Sequence, residues 1–327
     1  MKKMTFLAID GCLFSSINNL IDAFGIANLW HRALRETGPA PLFETEIVSV
    51  DGGGVRANGN VCIQPHRAMA DAGAADMIFL PAFCEMGHLE APGIDAVLDW
   101  LVTRYRQGTP IATTCTGAFL LAETGLLNGR VATTNWQFAR KFQRRYPNVH
   151  LQTDRIMTED HGLICAGAST AIFNLALHLI ARFGGEALST VCAKAFLVDP
   201  HRDSQAPYVI FRSRKDHGDE KVLAAQQWME ANYARNITID DAARQVGISP
   251  RHFKRRFRKA TGANPLVYLQ NVRIEAAREK LETTQESVND ITYCIGYEDS
   301  STFRRLFKRE MGLSPREYRD KFCRISQ

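Results

Sequence analysis

No CxxC pair occurs among the eight cysteines, which stand at 12, 62, 84, 115, 165, 192, 294 and 323. That scatter excludes a disulfide framework and leads us to expect a reducing cytoplasm. No uninterrupted hydrocarbon run of membrane-spanning length occurs. Leu163 to Ala181 carries no charge, but Gly167, Ser169, Thr170, Asn174 and His178 break it up. It reads as a short strand, a turn and a buried helix, so no membrane partner is expected. The apolar stretch behind Lys2 and Lys3 stops at Asp10, too short for a signal-peptide core. Metal-ligand sets are also lacking: His161 with Cys165, and Cys84 with His88, are isolated pairs where three or four ligands are needed. Asp51-Gly52-Gly53-Gly54 has no Lys-Ser/Thr ending and reads as a plain turn rather than a phosphate loop. Neither a metal nor a cofactor is expected. A large charge excess is absent too, the formal net charge being +5, and 45% apolar with 23% charged residues rules out a disordered or fibrous chain.

What is present falls into two parts. At 327 residues the chain exceeds one ordinary hydrophobic core. Up to about residue 198, apolar β-branched runs (Thr5–Ile9, Glu46–Val50, Met77–Leu80, Ile111–Thr114, Val131–Thr133) alternate with helical patterns (Ile17–Leu34, Ile94–Tyr105, Ala118–Thr124, Trp136–Arg145). Such alternation predicts an α/β domain of flavodoxin-like kind, a mostly parallel sheet with helices on both faces. Residues 199–218 lose all periodicity and are expected to form a linker. Residues 219–327 carry only helical periods and predict an all-α domain. The positive charge belongs there: residues 206–327 have a surplus of seven basic side chains, while residues 1–205 have a deficit of two. That asymmetry points to a nucleic-acid partner.

The helical part contains an internal repeat. Phe253, Phe257, Gly262, Pro265 and Tyr268 recur 50 residues later as Phe303, Phe307, Gly312, Pro315 and Tyr318. Each copy reads as helix, glycine turn, helix, with Gly247 and Gly296 at the turns. Thr238 with Asp241 can cap the first helix of copy one, Ser249-Pro250 opens its second, and Asp299 caps the corresponding helix of copy two. At 100° per residue, Phe253, Phe257 and Ala260 share one face, with Arg251, Lys254, Arg255 and Arg258 roughly opposite. In copy two, Phe303 and Phe307 face inward, and Ser301, Arg304, Arg305 and Lys308 outward. One basic stripe is commonly a solvated surface. Two stripes at equivalent places, each behind a glycine turn, predict two recognition helices for the major groove of double-stranded DNA. The helix expected over Pro265–Leu281 would space them by about 34 Å, one duplex turn.

These residues, about Lys221–Phe322, resemble the AraC/XylS family of transcription regulators, most specifically through Ile295-Gly296-Tyr297, Phe303, Phe307-Lys308-Arg309, Gly312 and Ser314-Pro315. The resemblance implies base-reading roles for Arg251, Lys254 and Arg255 in the first helix. It implies the same for Ser300, Ser301, Thr302 and Arg305 in the second. Arg304 and Lys308 then serve phosphates.

In the first part, Cys115 stands between the strand Ile111–Thr114 and a helix starting near Gly117. A residue on such a turn projects above the sheet. The helix start should lower its thiol pKa and offer the Thr116 and Gly117 N–H groups to an anion. Phe83 and Cys84 follow the strand end Leu80-Pro81, and Asn135 with Trp136 follows Thr133-Thr134, so these residues are expected around the same pocket. This segment, with Ala122-Glu123-Thr124-Gly125 and Ala132-Thr133-Thr134, resembles the ThiJ/PfpI branch of the class I glutamine-amidotransferase-like superfamily. The pair of resemblances matches GlxA-type regulators. Enzymes of the superfamily support the cysteine with a histidine; Thr116 and Asn135 occupy those places here, and Ser16 stands where an acid is common. Asp22 and Glu123 lie nearby in sequence, but neither replaces an imidazole.

The expectation is a non-enzymatic regulator. Its pocket of Ser16, Phe83, Cys84, Cys115, Thr116, Gly117, Asn135 and Trp136 would hold a small effector, a carboxylate or amino-acid-like metabolite. The expected partners are a second copy of the chain and, for an activator, RNA polymerase. The alternatives are a cysteine-dependent hydrolase or glyoxalase-like enzyme using Cys115, and a redox sensor using the same thiol.

Overall fold

The computed structural model describes the chain except residues 36–39, 86–88, 90–92, 212 and 325–327. His88 and Arg212 therefore lie outside the described residues. The chain divides into two compact units, Met1–Gln205 and Ala206–Gln327.

The first unit is built on a seven-stranded sheet. Its order is Met157–Asp160, Leu163–Ala166, Ile111–Thr114, Met77–Leu80, Lys2–Leu7, Phe43–Ser49, Arg67–Ala68. Every pairing is parallel except that of Met157–Asp160 with Leu163–Ala166. The central strands are buried at nearly every position, as expected when helices cover both faces of a parallel sheet. Helices Ser15–Arg35, Ala171–Gly184 and Glu186–Phe196 pack with one another, and Ile94–Arg106 packs with Gly117–Glu123. Phe6 and Phe79 stack at 4.7 Å between ring centroids, inside one continuous apolar core.

The uncharged run resolves as read: strand Leu163–Ala166, then helix Ala171–Gly184. Among the described residues, no helix is long and apolar enough to cross a membrane. The Asp51 segment is a turn, with Gly52 at φ 81° and the Asp51 carboxylate accepting the Gly53 N–H. Two expectations need correction. The strand over Val131–Thr133 is only Val131–Ala132, and it pairs with His150–Leu151 outside the main sheet. The stretch 199–218 is not uniformly irregular. Gln205 is buried and donates to Thr134 O (3.0 Å) and Arg155 O (2.9 Å), which ties its neighbours to the first unit. Phe211 packs into the second unit.

That second unit contains helices Glu220–Asn232, Ile239–Gln245, Pro250–Thr261, Pro265–Thr283, Val288–Cys294, Ser300–Met311 and Pro315–Phe322. Two small cores hold it. One gathers Met229, Ala242, Phe253, Phe257, Tyr268 and Leu269; the other gathers Ile274, Leu281, Ile291, Phe303, Phe307 and Tyr318. Pro265–Thr283 supplies side chains to both. Two caps form as read, a reciprocal capping box at Thr238/Asp241 and Asp299 accepting the Ser301 and Thr302 N–H groups, whereas Ser249 takes the cap position ahead of Pro250 without a side-chain capping hydrogen bond. The repeat is visible in ring geometry. Phe253–Phe257 and Phe257–Tyr268 lie 5.4 and 5.2 Å apart, and their counterparts Phe303–Phe307 and Phe307–Tyr318 lie 5.6 and 5.4 Å apart.

Candidate nucleic-acid interface and the Cys115 turn

Helix Pro250–Thr261 begins at Ser249 with proline in its first turn and ends at Gly262, φ 78°. Phe253 and Phe257 are fully buried and fix which face is turned out. Arg251, Lys254, Arg255, Arg258 and Lys259 are all exposed. Lys254 stands 4.0 Å from Asp240. Arg251, Arg255, Arg258 and Lys259 have no side-chain partner among the described residues. Arg256 behaves differently: its Nε meets the Asp219 carboxylate at 2.6 Å, which stabilises that carboxylate's charge and holds its pKa low.

In helix Ser300–Met311, Phe303 and Phe307 are again fully buried. Ser301, Thr302, Arg304, Arg305 and Lys308 are exposed, and Ser300 is half-buried. Its cations are more engaged. Arg304 donates to Asn289 Oδ1 at 3.0 Å, Arg305 to Thr302 Oγ1 at 3.3 Å, and Arg309 to Glu310 at 2.6 Å. Lys308 feels the Glu317 carboxylate. All ten residues expected to face DNA thus lie on the two helices, and nine are exposed. Lys259, Asp219 and Arg256 were not singled out from sequence. Lys259 could have been, four residues beyond Arg255 on the same row. The Arg256–Asp219 pair joins distant positions and has no local signature.

In the first unit Cys115 occupies a strained turn, at φ 53° in the left-handed region that non-glycine residues rarely adopt. Its N–H donates to Ala166 O at 2.7 Å, and its carbonyl accepts the Thr134 hydroxyl at 2.7 Å. Gly117 explains why the helix can begin so close. A Cβ there would stand 2.2 Å from Thr113 Oγ1 and 2.4 Å from Pro81 O.

The expected lowering of the thiol pKa is not found. Burial pushes Cys115 above the ordinary cysteine value, more than the Thr116 hydrogen bonds pull it down, and Cys84 raises it further. At neutral pH the group is therefore a thiol. The other pocket candidates sit near the turn, but their polar groups are largely spent. The Thr116 hydroxyl donates to Phe83 O (2.6 Å) and accepts Phe83 N–H (2.7 Å). Ser16 donates to Leu13 O (2.6 Å) and accepts Ala82 N–H (3.0 Å). Asn135 accepts Gln137 N–H at 3.0 Å as the cap of a short turn. Trp136 is half-buried and Cys84 exposed.

The sheet order reverses between Lys2–Leu7 and Met77–Leu80, where open α/β sheets usually bind ligands. Here that crevice is bridged by Cys12 pairing with Phe83 and by Leu13 N–H on Ala82 O. Glu123 is committed to Arg145 and Tyr146, and Asp22 to Asn18. Among the described residues no group of three or more metal-ligating side chains forms.

An α/β unit with a cysteine elbow, followed by two helix-turn-helix copies, is a two-domain architecture in which a helical module follows an open α/β body. Comparison with known proteins makes this specific. Residues 31–182 match the DJ-1/PfpI family, and residues 242–321 match the helix-turn-helix domain family. The chain therefore carries a DJ-1/PfpI domain and an AraC-type helix-turn-helix domain, the pairing found in HTH-type transcriptional regulators. It is 27% identical to the HTH-type transcriptional regulator CdhR of Pseudomonas aeruginosa over 96% of this chain and 90% of that protein. It is 29% identical to the HTH-type transcriptional regulator GlxA of Rhizobium meliloti over 64% of this chain and 65% of that protein. In fold it is similar to the crystal structure of an AraC family transcriptional regulator from Pseudomonas putida, with a TM-score of 0.51 at 19% identity. That likeness covers 60% of this chain and all of the other.

Proposed function

We propose that this protein is a sequence-specific transcription regulator whose two recognition helices enter successive major grooves of one duplex. The observation that carries the reading is the repeated arrangement of buried phenylalanine pairs beneath exposed basic faces. Both faces sit on one domain stiffened by a shared helix. Arginine can pair bidentately with guanine, and serine or threonine can meet several bases. Arg251, Lys254 and Arg255 read bases in one groove; Ser300, Ser301, Thr302 and Arg305 read them in the next. Arg255→Ala is expected to cost about 1–3 kcal/mol of specific binding and to relax the preference at one base pair. Selection from a random duplex library with both proteins measures this. An unchanged preference removes Arg255 from the reading set, and a wild-type protein that selects nothing removes the function.

The DJ-1/PfpI domain acts in this reading as a non-catalytic sensor of a small carboxylate-bearing or amino-acid-like metabolite. Cys115 is a buried thiol, and Thr116 and Asn135 occupy the places of the superfamily's histidine, so the elbow is poorly equipped for hydrolysis. The effector shifts the population of DNA-competent arrangements in a homodimer that activates transcription through RNA polymerase. Exposed Leu29, Trp30 and Leu34 on helix Ser15–Arg35 offer apolar area for such pairing. Amino acids and related carboxylates, screened by thermal shift at concentrations about a hundredfold above a working affinity, are expected to include one that stabilises by about 2.7 kcal/mol. A flat response across that class, or turnover abolished by Cys115→Ala, counts against the sensor.

A further inference from the structure

We propose that Arg214, on the segment ahead of the helix-turn-helix domain, forms with the first recognition helix a grip on the DNA phosphate backbone. This rests on the DNA-binding reading and extends it to residues outside the matched helix-turn-helix region 242–321. The first recognition helix carries a row of cations, Arg251, Arg255 and Lys259, spaced by four. Arg255 and Lys259 line two separate clefts, one on each side of that row. The first cleft, about 620 Å³, is also lined by Arg214, His217, His252 and Arg256. The second, about 540 Å³, is lined by Lys254, Arg258 and Asn264 as well.

A helix lying in the major groove has a sugar-phosphate strand along each flank. Two cationic clefts flanking one cationic ridge have that form. Among the described residues lining the first cleft the only carboxylate is Asp219, already neutralised by Arg256 at 2.6 Å. Among the described residues the Arg214 side chain is held by Asp216 alone, at 3.1 Å, and that carboxylate is 85% exposed. So exposed a pair is weak and yields readily to a phosphate. Among the described residues no Phe, Tyr or Trp lines the cleft, so these offer no stacking platform for a nucleotide base. Its cations remain partly solvent-exposed and are spread from residue 214 to 259, an arrangement for an extended polyanion rather than one enclosed ion.

The test is equilibrium binding of the full chain to a labelled mixed-sequence duplex across a salt series. Arg214→Ala is expected to reduce the slope of log K against log salt by about 0.9, and to weaken binding about eightfold at 0.1 M salt. The loss should be equal for every duplex sequence, because phosphate contacts carry no base information. Arg214→Lys should restore the slope. Lys215→Ala, whose amine is held by Glu230 at 2.7 Å, should leave it unchanged. An unaltered slope in Arg214→Ala, with wild-type binding intact, overturns the inference and leaves the recognition helices as proposed. Inorganic phosphate that raises the melting temperature of the wild type but not of Arg214→Ala, without any change in duplex binding, makes the cleft a free-anion site and also overturns it. A wild-type chain that binds no duplex at all removes the DNA-binding reading itself.

Discussion

Phe307→Ala is expected to destabilise the second unit by about 3–5 kcal/mol, the usual cost of emptying a buried phenylalanine site. The side chain is fully buried and meets Phe303 at 5.6 Å and Tyr318 at 5.4 Å between centroids. Little can collapse into the space. Tyr318 is pinned by Arg278, which donates to its hydroxyl at 2.8 Å, and by Glu282, which accepts from it at 2.7 Å. A domain of this size has total stability of about 5–15 kcal/mol, so the variant should be largely unable to present its second basic helix. Denaturant unfolding followed by hydrogen exchange resolves where the loss falls. Protection should drop across residues 274–318 and stay near wild type in the strands of the first unit. Loss confined to a few amides around residue 307 contradicts the shared core described above.

Gly117→Ala carries the second large effect, about 3 kcal/mol or more. Adding one methyl group to a tight site ordinarily costs about 1–3 kcal/mol, and here one obstacle is backbone. The new Cβ would stand 2.4 Å from the Pro81 carbonyl and 2.2 Å from Thr113 Oγ1. Thr113 can rotate, but Pro81 follows a fully buried strand and has no room to retreat. The helix start must therefore lift away from the sheet and drag Cys115 from its φ of 53°. Thermal unfolding of the first unit reads the cost, and alkylation of Cys115 reads the displacement, since the thiol should become accessible. A melting point equal to wild type means the approach of helix to strand is looser than the geometry states.

How far such features could be anticipated depends on their range. The strands Met77–Leu80 and Ile111–Thr114 were predictable because four apolar or β-branched residues in a row suit a buried parallel strand, and the structure has them at those bounds. The repeat was predictable because two copies of one core require the same aromatics at the same helical phase. Edges were harder. Met157–Asp160 pairs antiparallel at the sheet margin with two acidic residues among its four, and composition argues against a strand there. The Cys115 turn was readable from strand, cysteine, glycine and helix in succession. The electrostatics of its thiol was not, because burial by neighbours remote in sequence outweighs the local contribution of Thr116. Gln205 gave no signal either. It fills the space beside Gly167, where a Cβ would stand 1.9 Å from the glutamine nitrogen, and only folding brings those two residues together.

The helix Pro265–Thr283 belongs to both small cores at once, through Tyr268 and Leu269 at one end and Ile274 and Leu281 at the other. It consequently acts as an indexing shaft. Inserting a single residue would advance one end by about 1.5 Å and turn it by about 100° relative to the other. Such a change leaves each copy able to fold but sets the two reading heads out of phase with the winding of the double helix. On the proposed function, a promoter would then have to keep the interval between its two contacted segments constant to the base pair, whatever else in it drifts.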